Sequence, residues 1–414
     1  METGERTEVE ETTCCIVGCG PAGAMLGLML ARVGVEVVVL EKHPDFFRDF
    51  RGDTIHASTL QVLDELGLLE GFLRLPHQKA ASIDVMTDEG MTGLVDFASL
   101  PGKFQYVAWV PQWDFLNFIT SEARRYPAFT LRQQAEAFGL VEGGGAVRGV
   151  RCRTPQGPRE VRALLTVGCD GRHSVVRRAA GLPAADFGAP MDVLWFRIPR
   201  RDTDPVGAFL RMAPGQLLPM IDRRSYWQTA YVIPKGGFEP LKAKGIEALH
   251  AELRAALPFL ADRVTEVSGW DDVGFLEVQV NRLKRWHRPG LLCIGDAAHA
   301  MSPIGGVGIN LAIQDAVAAA NLLVGPLRGG RVSERDLANV QQRRAFPTRL
   351  TQRAQLLMQR GLVSAVLSAQ PSATATLPRP LLAALRLPLL RRSVARFIAI
   401  GVRNEHVQTG AYPR

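Results

Sequence analysis

The stretch Cys14-Cys15-Ile16-Val17-Gly18-Cys19-Gly20-Pro21-Ala22-Gly23 decides the fold. Residues 14–17 form an apolar run of strand length, and residues 21–33 carry helical spacing with Gly34 as a stop. Residues 35–40 read as a second buried strand that closes on Glu41. The expectation is a right-handed parallel βαβ unit with its glycine turn at the carboxyl end of the first strand. Gly18, Gly20 and Gly23 then have separate tasks: a tight turn, a close approach of backbone to pyrophosphate, and contact between helix and strand. The helix opening at Pro21 and Ala22 offers unpaired N–H groups to phosphate. Glu41, with Lys42 beside it, stands about 20 residues on, where an acid accepts ribose hydroxyls. A glycine pattern alone is weak; strand, helix and acid in register make it a dinucleotide site.

Working outward, residues 54–69 read as one helix with Leu60, Leu63, Leu66 and Leu69 along a side. Strands follow over 80–110, an amphipathic helix over 111–125, and short strands over 129–169 broken by glycine turns. Residues 190–280 are β-rich around one helix at 246–257. A buried strand at 291–294 leads through a loop into an alanine-rich helix at 310–324, and the chain beyond 350 is helical. The expected architecture is α/β: a Rossmann-like nucleotide domain in pieces (12–79, 111–186 and 288–350), an inserted mixed β-sheet substrate domain (80–110 and 187–287), and a C-terminal helical tail (351–414).

Two further strand-to-turn segments carry chemistry. Cys169-Asp170-Gly171-Arg172-His173-Ser174 follows an apolar run. Gly295-Asp296-Ala297-Ala298-His299 leads into Ser302-Pro303-Ile304-Gly305-Gly306-Val307-Gly308-Ile309-Asn310. A strand-terminal aspartate can take a sugar-chain hydroxyl, and a glycine run before a helix brings N–H groups to a ligand edge. Either segment alone is commonly an ordinary turn aspartate.

Composition sets outer limits. With 414 residues, 47% hydrophobic and 22% charged, the chain is long enough for two packed domains and too apolar for disorder. A net charge of +8 comes with arginines spread along the chain and no aromatic-basic module, which argues against nucleic acid and for attraction of anionic ligands. Six cysteines in apolar runs lack zinc spacing and read as small core residues in a reducing, cytoplasmic compartment; no metal site is expected. The polar, acidic N-terminus is unlike a signal peptide. Residues 14–31 are apolar enough to suggest a membrane span, but their four glycines and proline fit strand, turn and helix instead.

Together the three segments resemble those of the group A flavoprotein monooxygenases, the family of para-hydroxybenzoate hydroxylase, over roughly residues 12–350. The resemblance implies FAD held by Gly18, Gly20, Pro21, Ala22, Gly23, Glu41 and Lys42, by Asp170 and Gly171, and by Gly295, Asp296 and the run from Gly305 to Asn310. Arg51 matches the family's flavin-contacting arginine, Gln112 its FAD-contacting glutamine, and Pro303 the proline beside the flavin's C4a edge. Val307 departs from the glutamine or lysine that relatives often carry, leaving backbone contacts there but no polar side chain. A thioredoxin-like extension of the larger phenol hydroxylases is not recognisable.

The family's chemistry implies that NADPH or NADH reduces the flavin transiently, in keeping with a single complete glycine fingerprint. Reduced flavin then takes up O2 as a C4a-hydroperoxide and passes one oxygen to an electron-rich carbon, while the protein positions the substrate and excludes water. His56, Tyr226 and Tyr231 are candidates, on chemistry only, for a base that activates a phenol. Trp195, Phe196, Leu210, Met212, Met220 and Trp227 suggest a pocket for an apolar, aromatic or polycyclic small molecule. Rival readings are a halogenase or prenyl-chain reductase on the same fold, or a flavin-binding redox protein without turnover; the halogenase tryptophan signature is represented only by Trp109-Val110-Pro111. The tail over 381–403, with Arg386, Arg391, Arg392 and Arg396, could lie on a membrane, but packing on the parent domain is favoured because Pro388 breaks its apolar face.

Overall fold

A computed structural model describes residues 8–47, 54–368 and 387–410. Strand β1 (Glu8–Val17) runs at the centre of a parallel sheet, followed by helix α1 (Pro21–Ala31) and strand β2 (Val37–Leu40). β1 pairs on one side with β2, which pairs in turn with Phe129–Arg132. On its other side β1 pairs with Gly157–Gly168, which pairs with Leu291–Cys293. The strand order therefore reverses direction at β1, and ligands of open α/β sheets bind at such a switch point. The antiparallel hairpin of Glu136–Gly143 and Ala146–Thr154 extends from Gly157–Gly168.

β1 is longer than the apolar run. Glu8 and Glu10 bond to Arg159 on the neighbouring strand, and Glu10 also reaches Arg132. A pattern of acids that reads as a polar tail is thus a strand extension held by cross-strand ion pairs. Helix α1 is apolar all round, which suits a core element, and every residue from Ala22 to Ala31 is buried. Gly27 allows the close fit: a Cβ there would stand 2.9 Å from the Phe129 ring. The Gly308–Arg328 helix, long and apolar enough to cross a membrane, is likewise packed inside the protein.

The single helix expected over 54–69 is divided. Thr54–Ile55 is a short strand paired with Val107–Trp109, helix α2 spans Ala57–Glu65, and Gly67 turns at φ +69° before Leu69–Leu73. Pairing with Ala108 and Trp109 overrides helical periodicity at its first residues.

The inserted sheet has seven strands, ordered Gly274–Leu276, Met191–Pro199, Tyr226–Pro234, Gln216–Asp222, Phe209–Ala213, Ser82–Thr87 and Gly90–Asp96. It is mixed, because Phe209–Arg211 runs parallel to Asp84–Met86. Residues 107–109 stay out of it, forming a three-stranded sheet with Thr54–Ile55 and Gln78–Ala80.

The tail returns to the body. Its Pro388–Ala399 helix begins at Pro388, so this proline starts a helix, where its missing N–H is harmless, and does not break one. Ala395 and Ala399 are buried, and the helix packs on Gly90–Asp96. Residues 381–386, including Arg386, lie outside the described residues. All six cysteines are buried thiols, and burial pushes Cys14 up to about 12, as expected of inert core residues.

Candidate active site

Register brings the three segments to one edge. Val17 aligns with Leu40 and with Gly168, and Gly168 aligns with Cys293. The glycine turn, Glu41, Asp170 and Asp296 therefore emerge side by side from the carboxyl ends of four neighbouring strands.

The glycines divide their labour as the sequence suggests. Gly18 has φ +95°, and a Cβ there would sit 2.6 Å from the Cys169 carbonyl oxygen. At Gly23 a Cβ would be 2.0 Å from the Gly18 oxygen, so the helix rests directly on the turn. At Gly20 it would meet nothing within 4 Å. That open space faces a helix start with no side-chain cap, and it suits a pyrophosphate. Glu41 steadies the turn: one carboxylate oxygen accepts from Cys19 N at 3.1 Å and the other from His43 N at 3.1 Å. Lys42 is exposed beside it.

Asp170 works within the chain. Its carboxylate accepts from Ser174 Oγ at 2.5 Å and from the N–H groups of Val175 and Val176 at 2.7 and 3.1 Å. It thereby satisfies the start of the Val175–Ala179 helix. Burial raises its pKa, against the pull of those donors. Gly171 (φ +81°) turns the chain so that Arg172 lies 3.5 Å from Asp296 and donates to the Glu277 carbonyl. This bridge between the second and third segments was not foreseen; the Asp-Gly-Arg order was its only trace.

Asp296 keeps its side chain 30% exposed at the sheet edge, available to a ligand hydroxyl. The N–H before it, that of Gly295, is held by Asp315 at 3.1 Å. Asp315 is fully buried and also binds His299 at 2.5 Å and Arg344 at 2.9 Å. Burial alone would raise its pKa, but His299 and Arg344 outweigh that and hold it below the ordinary value. Arg344 continues to Glu405 at 3.1 Å, so a buried chain of charges ties the third segment to the C-terminal arm. No local sequence signal announces this link, whose members lie far apart along the chain.

After Pro303, Gly305 and Gly306 take φ +76° and +61°. A Cβ on Gly306 would stand 2.8 Å from Thr54 Oγ1, so the turn lies against the strand that follows the Arg51 segment. Helical bonding starts with Leu311 N donating to Val307 O, leaving the N–H groups of Gly308, Ile309 and Asn310 ahead of it for a ligand. The Val307 side chain is buried. Asn310 is used as a pin: its oxygen accepts from His56 N and Thr59 Oγ1, and its nitrogen donates to the Thr54 carbonyl. Gln112 opens the Gln112–Ala123 helix, half-buried. Arg51 lies outside the described residues.

None of the three proposed bases sits free at this edge. The His56 ring bonds the Ile398 carbonyl at 2.8 Å through Nδ1, and burial pushes its pKa down to about 4. It is a neutral joint between α2 and the C-terminal arm. Tyr231 donates to Glu252 at 2.5 Å on the far side of the inserted sheet, where burial and the carboxylate push its pKa up. Tyr226 lies under the Arg197 guanidinium.

The six pocket candidates split by strand alternation. Phe196, Met220 and Trp227 face outward into a core shared with the Ile246–Ala256 helix. Trp195, Leu210 and Met212 face the other way, into a cluster that includes Ile304 next to Pro303. A bare list of large apolar residues could not separate the faces without the register. The indole Nε1 of Trp195 is buried without a hydrogen-bond partner.

Comparison with known proteins agrees with this geometry. Residues 11–354 match the FAD binding domain family. The chain is 36% identical over 404 residues to the 6-methylpretetramide 4-monooxygenase of Streptomyces rimosus, covering 97% of this chain and 95% of that one. It is 29% identical to the 12-dehydrotetracycline 5-monooxygenase/anhydrotetracycline 6-monooxygenase of Streptomyces rimosus over 73% of this chain, but spans only 60% of that longer relative. The fold is similar to the crystal structure of p-nitrophenol 4-monooxygenase PnpA from Pseudomonas putida DLL-E4, with TM-score 0.78, 19% identity, and 96% and 100% of the two chains covered. The chain belongs to the FAD binding domain family and is an FAD-dependent monooxygenase of the group A flavoprotein type.

Proposed function

We propose that this enzyme consumes NADPH or NADH and hydroxylates a polycyclic aromatic small molecule with O2. The carrying observation is that Trp195, Leu210 and Met212 on the inner face of the inserted sheet share one apolar cluster with Ile304, adjacent to Pro303. An aromatic ring held there is shielded from water by the sheet on one side and by the Pro303 turn on the other. FAD, when bound, supplies the oxygen activation; the chain's residues hold it through the glycine turn, Glu41 and Asp296. The unpartnered indole N–H of Trp195 suits a carbonyl on the ligand, as an oxygenated polycycle would offer. The tetracycline-type names of two relatives point to the same substrate class. Six reduced, buried cysteines suit a cytoplasmic enzyme.

The test uses FAD-loaded protein with NADPH or NADH and a panel of tri- and tetracyclic phenols under labelled O2. The expected result is slow oxidation of the nicotinamide alone, faster oxidation with an active phenol, and one labelled oxygen in the product. Unstimulated oxidation across the panel, or a product without label, would overturn the proposal.

A further inference from the structure

Three glutamines descend one face of the last long helix, and they differ in one respect. Gln352 and Gln355 lie in Glu334–Met358, and Gln359 begins the π-turn Gln359–Val363; each is at most 1% exposed. All three donate through Nε2 to the loop that carries the third segment. Gln352 reaches the carbonyls of Asn281 and Ala300, Gln355 those of Ser302 and Ile304 at 2.9 Å, and Gln359 the Ser302 hydroxyl at 2.7 Å. The Gln352 oxygen is satisfied, accepting from Arg282 at 2.6 Å. The oxygens of Gln355 and Gln359 are buried and have no partner.

The amide of Gln355 cannot be turned to relieve this, since its nitrogen faces two carbonyl oxygens. At Gln359 the amide nitrogen donates to the Ser302 oxygen, which also accepts from Ile304 N, and in this orientation the amide oxygen is the atom without a donor. A buried acceptor without a donor is destabilising and is retained where something else meets it. These two acceptors flank Ser302-Pro303-Ile304, and Ile304 packs in the same cluster as Trp195, Leu210 and Leu362 of the π-turn. A π-turn is itself an uncommon element found mostly at functional positions, and here its first residue is one of the pair.

We infer that Gln355 and Gln359 are specificity-determining residues whose free carbonyl oxygens accept hydrogen bonds from ring hydroxyl groups of the polycyclic substrate. The inference rests on the proposed substrate class and adds to it: the ligand must carry free hydroxyl donors at its edge nearest Pro303. Their amide nitrogens meanwhile position the loop, so one side chain reads the substrate and sets the turn against which it lies.

The test compares two probes of nearly equal shape, 2,6-dihydroxyanthraquinone and 2,6-dimethylanthraquinone. Binding to the FAD-loaded full chain is read from the perturbation of the flavin spectrum, without turnover. The wild type should prefer the dihydroxy probe by about tenfold, roughly the worth of one hydrogen bond. Gln359→Met and Gln355→Met should each lower that ratio part of the way and the double variant bring it to near unity, whereas Gln359→Glu, which keeps acceptor oxygens, should retain most of it. A purely structural role would lower FAD content or Tm in the Met variants and leave the ratio unchanged, which overturns the inference. So does a wild type that binds neither probe or fails to distinguish them. Glutamine-dependent preference in a protein that hydroxylates nothing would instead overturn the proposed reaction and leave this inference standing.

Discussion

The parallel sheet and the inserted sheet solve recognition in different ways. At the edge of the parallel sheet the groups offered to a ligand are backbone: the turn at Gly18, Gly20 and Gly23, and the N–H groups before Leu311. Side chains there mostly serve the chain itself, as Asp170 and Asn310 do. On the inserted sheet the relation is reversed. Its backbone is consumed by strand pairing, and the inner face is distinguished only by which side chains the pleat turns inward. Backbone recognition demands glycine at fixed spacing, whereas side-chain recognition demands only a register.

The sharpest way to break this comparison is to add side chains to two of these glycines. Gly23→Ala places a carbon 2.0 Å from the Gly18 carbonyl oxygen, a backbone atom that cannot give way, and should cost more than about 4 kcal/mol and prevent folding. Gly20→Val enters open space, so the fold should survive with normal Tm while FAD binding is lost. Thermal melts and flavin content of the two variants separate turn from ligand contact; equal Tm values for both would show that the turn is misread.

That contrast also explains what was legible in the sequence. The βαβ unit, Glu41 and the third glycine run could be read because a chain that wraps a phosphate has few alternatives to glycine. The direction of Asp170 could not, since its partners Ser174, Val175 and Val176 bond it inward only once the short helix forms. Nor could the sorting of Trp195 from Phe196, neighbours that differ only in which face they occupy. The acids of β1 misled for a related reason: Glu8 and Glu10 look solvated until Arg132 and Arg159 arrive from distant strands.

The next largest effect is expected in the inserted domain. Asp204 forms a two-pronged buried pair with Arg263 at 2.8 and 2.9 Å and accepts from Trp227. Burial would raise its pKa, but Arg263 and its other donors hold it at about 2. Asp204→Ala leaves the buried guanidinium with only the half-exposed Asp262, at 3.3 Å, as a counter-charge, and should cost about 3–5 kcal/mol. Because the folded pKa is depressed, this stabilisation is complete above pH 4 and fades only as pH falls toward 2. Denaturant melts at pH 7 and pH 3 check both statements.

Asp296→Ala should be milder, costing roughly 1–3 kcal/mol of FAD affinity with the fold intact. Titration of apoprotein with FAD measures it, and an unchanged Kd would remove Asp296 from the cofactor site. The last effect, absent at neutral pH, concerns His56, whose folded pKa of about 4 lies below its ordinary 6.5. The unfolded chain takes the proton first, so stability is complete above pH 6.5 and declines toward pH 4 by about 1.4 kcal/mol per pH unit. His56→Gln can keep a donor near the Ile398 carbonyl without titrating, and should flatten that slope.

The most direct test of the account is the relative affinity of the apoprotein for FAD and FMN. On the proposed assignment Gly18, Gly20, Gly23 and Glu41 hold a pyrophosphate and an adenosine ribose, which FMN lacks. FAD should therefore bind at least about a hundredfold more tightly, equivalent to roughly 2.7 kcal/mol. Equal affinity for the two flavins would contradict the assignment of that edge of the sheet.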